Sequence, residues 1–187
     1  MSTPNDFAAA AQALAAAVYA ASVDPADAIR ILSGLSNFTP GDPTGPSAIG
    51  AAMATMQRAS GDLFRRAAVV ALARASSDYQ PASAADAVAV RNTVCDALDR
   101  EIEIAGNQGE DGTFNAMRRL RAAVSKDLTA RGAGLPGQAT IQSMAPVPAP
   151  VLAQRLYQDA TRGDELVSTS GCVHPAFLPL SFKALSK

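Results

Sequence analysis

Apolar residues recur along the first 130 or so positions at the three- and four-residue spacing of helices buried on one side. Phe7, Leu14 and Val18 share a face of a first helix of about 16 residues, opened by Pro4-Asn5-Asp6. Val23-Asp24-Pro25 ends it and starts the next. Asp24 supplies an N-cap side chain, and Pro25 fits the first helical position, where an N–H is not needed. The second helix carries Ile29, Leu32 and Leu35. Asn37 to Pro46 then holds three prolines and two glycines, which predicts a loop.

Ser47 opens a long helix. Ile49, Met53, Met56, Ser60, Leu63, Ala67 and Val70 fall on one face and are expected to be its inner stripe. Gly61 weakens this helix without ending it. Carried to Ser76, it runs ~30 residues or ~45 Å. Met53, Met56 and Met117 read as core filling. Pro81 breaks the chain, and Ser83 caps a fourth helix with the inner stripe Val88, Arg91, Val94, Cys95, Leu98 and Ile102. Gly106-Asn107-Gln108-Gly109 is turn chemistry. A fifth helix uses Phe114, Met117, Leu120, Val124 and Leu128, and is closed by Gly132 and Gly134.

The period changes after Pro136-Gly137. Ala139, Ile141 and Ser143 alternate with Gln138, Thr140 and Gln142, which predicts a short strand. Val151 to Tyr157 reads as a short amphipathic helix, Asp159 to Arg162 as a turn, and Asp164 to Ser168 as a second short helix. Phe177 and Leu178 are apolar anchors before Pro179, and Phe182-Lys183-Ala184-Leu185 forms a last strand. The simplest closure pairs the strands antiparallel under both helices. The predicted fold is mainly α, in the α+β class. An alanine-rich helical bundle over 1–135 is followed by a strand–helix–helix–strand module over 136–187.

The composition narrows the function. With 48% hydrophobic and 18% charged residues, the chain can bury a core. Much of that fraction is alanine, so each contact buries little area. A net charge of −1 carries no footprint for nucleic acid. Residues 81–106 hold five acids and two bases, and residues 107–134 hold five bases and three acids, which orients two helices of opposite sign. Arg65-Arg66 and Arg118, Arg119 and Arg121 read as solvated faces or as contacts for an acidic partner. Cys95 reads as a small core hydrophobe. Met1 to Asp6 lacks the basic start of a signal peptide and the alanine run after it is too weakly apolar for one, so none is expected; no segment reaches the ~20 apolar residues of a membrane span.

Catalytic and metal chemistry find no support. His174 stands in a turn before Pro175, without an acid or second ligand near it in sequence; it is expected to bond backbone or pack beside Tyr157. Asp159, Asp164 and Glu165 sit around helix starts, where acids cap and interact favourably with the helix dipole. No nucleotide, hydrolase or zinc-protease motif occurs. The expectation is a non-enzyme with no cofactor and no metal.

Leu152-Ala153-Gln154-Arg155-Leu156-Tyr157-Gln158-Asp159, then Asp164-Glu165-Leu166-Val167, then His174-Pro175 and Phe177-Leu178-Pro179 resemble a LysM-type module. With Leu120 to Leu128, Leu135-Pro136 and the alanine-rich helices, the chain resembles the C-terminal region of the DNA circularisation proteins of Mu-like phages. The resemblance implies a structural tail component near the tube–baseplate junction, made in the host cytoplasm and carried in the virion. It implies contacts with tube, hub, wedge or tape-measure proteins, and a homo-oligomer of threefold or sixfold symmetry. Leu152, Leu156, Tyr157, Leu166, His174, Phe177 and Leu178 are the expected core or interface of the module; Arg118, Arg119 and Arg155 are basic candidates to face a partner. Phe177→Ala is expected to cost ~3–5 kcal/mol as a core deletion. Three positions depart from the LysM pattern. Gln158 replaces a glycine, Ser168-Thr169-Ser170 an asparagine turn, and Leu180-Ser181 a glycine pair. These positions shape the glycan groove of a LysM module, so the expected ligand shifts to protein. A peptidoglycan-binding anchor is the alternative.

Overall fold

Local capping chemistry sets most helix starts. In α1 (Pro4–Ala21), Thr3 Oγ1 accepts from Asp6 N–H while the Asp6 carboxylate accepts from Thr3 N–H, a reciprocal capping box. Asp24 caps α2 (Pro25–Leu35) through Ala26 N–H, with Pro25 in the first turn. Ser47 caps α3 (Ala48–Asp78) through Gly50 N–H. Ser83 Oγ accepts from Asp86 N–H at the start of α4 (Ala84–Asn107). Gly109, at φ 71°, turns the chain towards α5 (Asp111–Gly132). The computed structural model describes residues 3–41 and 47–186. The 42–46 part of the expected loop and the residues at the two extreme ends lie outside it.

The remaining elements are β1 (Gln138–Gln142), α6 (Ala149–Tyr157), a 3-10 turn (Ala160–Arg162), α7 (Gly163–Ser170) and β2 (Ser181–Leu185). The fold is therefore mainly α: helices followed by a small strand–helix–helix–strand arrangement. The chain divides into two compact units. One is Met1–Gln80 with Val88–Ala130. The other is Pro81–Ala87 with Arg131–Lys187. The second unit thus begins a few residues before the 135/136 boundary read from the sequence, and it also claims the start of α4. Two contacts account for this. Ala84 N–H donates to the Pro136 carbonyl at 3.1 Å. Gly132 lies so close to Ala87 that a Cβ on it would fall 2.7 Å from the Ala87 Cβ.

The helical unit is built around the second half of α3. Ala67, Ala68, Val69, Ala71, Leu72 and Ala73 are all buried, so this stretch is covered over most of its circumference, with Val70 and Arg74 left on its open side. Ala28, Ile29 and Leu32 of α2, Val94 and Leu98 of α4, and Met117, Val124 and Leu128 of α5 complete its core. From α1 the buried residues are Ala11 and Ala15, not the larger ones: Phe7 and Leu14 are 46% and 56% exposed.

The expected inner stripe of α3 is corrected by the structure. Ile49, Met53, Met56 and Val70 are exposed, as are Leu35 of α2 and Val88 of α4; only Met117 of the three methionines fills the core. The reason lies in where the neighbours reach. Phe7 meets Phe64 edge-on at 5.9 Å between ring centroids, and Tyr19 hydrogen-bonds Asp78, so α1 runs alongside residues 64 to 78. Pro40 lies against Gly61, where a Cβ would come within 2.7 Å of its ring. No residue from Ala48 to Ser60 is buried.

In the second unit, β1 and β2 pair antiparallel with Ile141 opposite Phe182 and Ala139 opposite Ala184. Phe182 and Ala184 point to the same side and are buried, and α6 and α7 pack there.

Candidate interaction site in the C-terminal unit

The module is closed from one aromatic ring outwards. Tyr157, the last residue of α6, is 9% exposed. Its hydroxyl donates to the Leu185 carbonyl of β2 at 2.9 Å, tying the helix end to the strand end. The Arg162 guanidinium lies over its ring, 3.8 Å from the centroid. Glu165, in the first turn of α7, holds that guanidinium by two bonds of 2.8 Å. Burial, and the Glu165 charge after it, pushes the Tyr157 hydroxyl above its ordinary pKa. Asp159 caps the 3-10 turn through Thr161 N–H and Oγ1, bonds that hold its carboxyl below the usual range. Gly163 sits where a Cβ would come 3.2 Å from the Pro150 nitrogen, so the starts of α6 and α7 meet closely.

The residues singled out in the sequence separate into two sets. Leu152, Tyr157, Leu166 and Leu178 share one core with Ala153, Phe182 and Ala184; Leu156 and Cys172 pack at its edge. His174 and Phe177 are outside it. Phe177 is 68% exposed, which corrects its expected role as a core anchor: the turn after α7 directs Leu178 inwards (2% exposed) and leaves its predecessor in solvent. His174 accepts from Ala176 N–H through Nδ1 at 3.1 Å, as a turn residue, and its ring companion is Phe177 at 5.7 Å. The two form an exposed aromatic pair. Arg155 is exposed on α6. Arg118 and Arg119 are exposed on α5, where Arg118 stacks over Phe114.

Gln158 closes α6 with an unusual backbone conformation. It is the only non-glycine residue with positive φ among the described residues, at φ 59° and ψ 27°. This position thus adopts the left-handed backbone conformation that glycine favours.

The helical unit holds an ionic cluster that sequence reasoning missed. Glu101 is 1% exposed on α4. Its Oε1 accepts from Arg65 Nε at 2.7 Å, and its Oε2 lies 3.5 Å from Arg66 Nε. Arg65 also pairs with Asp62, and Arg66 with Glu110 and Gln108. Gln108 returns a bond to Asp62 at 2.7 Å. The adjacent arginines therefore clamp α3 to α4 and to the α4–α5 turn, in place of the solvated face expected for them. A signal was present: Val94, Leu98, Glu101 and Ala105 recur at helical spacing, and all four are buried.

These features define a class: a mainly α protein whose small C-terminal unit has a complete apolar core, an aromatic pair left outside it, and no group of His, Cys, Asp or Glu among the described residues that could hold a metal. No helix among them is long and apolar enough to cross a membrane. No protein-family model matches the chain, and no curated protein matches it.

Proposed function

We propose that the protein is a structural component of a phage tail or baseplate, near the tube–baseplate junction, acting as an adaptor through protein–protein contacts. One observation carries this reading. The block that resembles the tail-protein module supplies the core of a strand–helix–helix–strand unit, through Leu152, Tyr157, Leu166 and Leu178. Meanwhile the positions that shape a glycan groove hold other residues, among them Gln158 and Leu180-Ser181. Tyr157 is enclosed beneath Arg162 and is a poor platform for a sugar; the exposed faces of His174 and Phe177 suit a protein partner. In this reading the module docks onto a tube, hub, wedge or tape-measure protein, several copies assemble with threefold or sixfold symmetry, and the chain catalyses no reaction. It is made in the host cytoplasm and retained in the virion.

Mass spectrometry of purified tails tests it. The chain is expected at a stoichiometric level in intact particles, and tails assembled without it overturn the reading. A peptidoglycan pull-down of the full chain separates the alternative: retention that depends on Tyr157 would favour a cell-wall anchor.

A further inference from the structure

Two exposed apolar features adjoin on the helical unit. The first is a ridge, Ile49, Met53 and Met56 on the first turns of α3, exposed by 76%, 48% and 66%. The second is a groove lined by Leu14 of α1, Leu35 of α2, and Phe38 and Phe64. Met56 joins Phe38 and Phe64 in lining the adjoining depression, so ridge and groove are one continuous surface. The sequence carries no charge from Phe7 to Val23, nor from Ala48 to Gln57. Solvent-facing helices ordinarily show charge on the wet side. Uncharged, exposed and contiguous apolar surface marks a contact.

We infer that this surface pairs with a second copy of the chain about a twofold axis, each copy seating its α3 ridge in the α1–α2–α3 groove of the other. Three observations select a second copy. One molecule carries both a projecting apolar helix stripe and a concave apolar strip, the two halves of a self-contact. Neither carries charge, so like faces meet without repulsion. The area decides the symmetry. From their exposures, the ridge offers on the order of 400 Å² and the groove with Phe7 a similar amount, against the ~800 Å² per partner of a stable interface. One ridge-to-groove contact falls short; two made at once reach it, and a twofold axis makes both. The inference rests on the residues of the helical unit and concerns the free chain in solution; the threefold or sixfold arrangement of the tail reading is a separate contact made within the particle.

Sedimentation equilibrium of the full chain, from about 1 to about 200 µM, tests it. A monomer–dimer equilibrium is expected. Met56→Glu on the ridge and Leu14→Lys in the groove are each expected to raise the dimer dissociation constant about tenfold or more, with unchanged circular dichroism, since both side chains are largely exposed within one copy. Mixing a copy carrying M56E with one carrying L14K is expected to recover dimer, because one contact is then native and the other pairs opposite charges. Met144→Glu, on an exposed residue outside the surface, is expected to change nothing. A chain that stays monomeric throughout overturns the inference and leaves the surface to a different partner. A closed trimer or hexamer, or a dimer indifferent to both variants, overturns it as well.

Discussion

Two single residues test how the units are held. Glu101 is a buried carboxylate between two guanidiniums, which in turn keep Asp62 and Glu110. Truncating one member of a buried charge cluster leaves its partners desolvated without compensation, and the usual cost is about 3–5 kcal/mol. Glu101→Ala is expected to destabilise the helical unit by that amount in urea titration; a loss below about 1 kcal/mol would show that the cluster is effectively solvated. Gln158 is the opposite case. Two helices of the C-terminal unit end in left-handed residues, α7 at Gly171 with φ 64° and α6 at Gln158 with φ 59°. Glycine takes that conformation without the Cβ penalty. Gln158→Gly is therefore expected to stabilise the unit by about 1 kcal/mol, read as a higher melting temperature. An unchanged or lower melting temperature would mean that the glutamine side chain contributes more than its backbone costs.

At the scale of elements, the sequence was legible wherever the cause is local. Asp24 and Ser83 cap the helices they were expected to cap, and the helix expected to begin at Ser47 does so, with Ser47 as its cap. The alternation around Ile141 and the pairing of the two short strands follow from period and chain order. Misreadings arose where the cause lies elsewhere in the chain. The spacing of Ile49, Met53 and Met56 identifies a face of α3 but not how far α1 and α2 extend along it. Arg65 and Arg66 read as surface residues because their acids at 101 and 110 are far away in sequence. In the C-terminal unit, the strands and helices were legible, while the choice between Phe177 and Leu178 turned on the direction of one turn. The link from α6 to β2 has its own pH dependence. The Tyr157 hydroxyl is held neutral by burial and by the nearby Glu165 charge, so its folded pKa is raised. Its contribution is whole below the unfolded tyrosine value of about 10 and is lost as pH rises through the raised folded value. The unit is expected to loosen on the alkaline side, and Tyr157→Phe to flatten that limb while costing about 1 kcal/mol at neutral pH for the lost bond to Leu185. A stability profile with the same alkaline limb in both proteins would assign the effect to another group.

At the scale of the molecule, the described residues form two apolar cores with no residue in common. One is centred on Leu72, Leu98 and Leu128; the other on Leu152, Leu166 and Leu178. Cooperative unfolding follows shared packing, so separate cores are the condition for separate transitions. Each core can be tested by one deletion of equal size. Leu72 is 0% exposed and Leu178 is 2% exposed, so either change to alanine removes a fully buried side chain and is expected to cost about 2–5 kcal/mol. In a small unit that lowers the transition by more than about 10 °C. Scanning calorimetry is expected to show Leu178→Ala moving one transition and Leu72→Ala moving another. Phe177→Ala serves as the internal control. Its side chain is mostly in solvent, so it is expected to move neither transition by more than the few tenths of a kcal/mol usual at a surface position. If Leu178→Ala instead shifts a single transition for the whole chain, the two cores unfold as one. If Phe177→Ala moves the transition as far as Leu178→Ala does, that ring is packed in solution and its place as an exposed contact residue is lost.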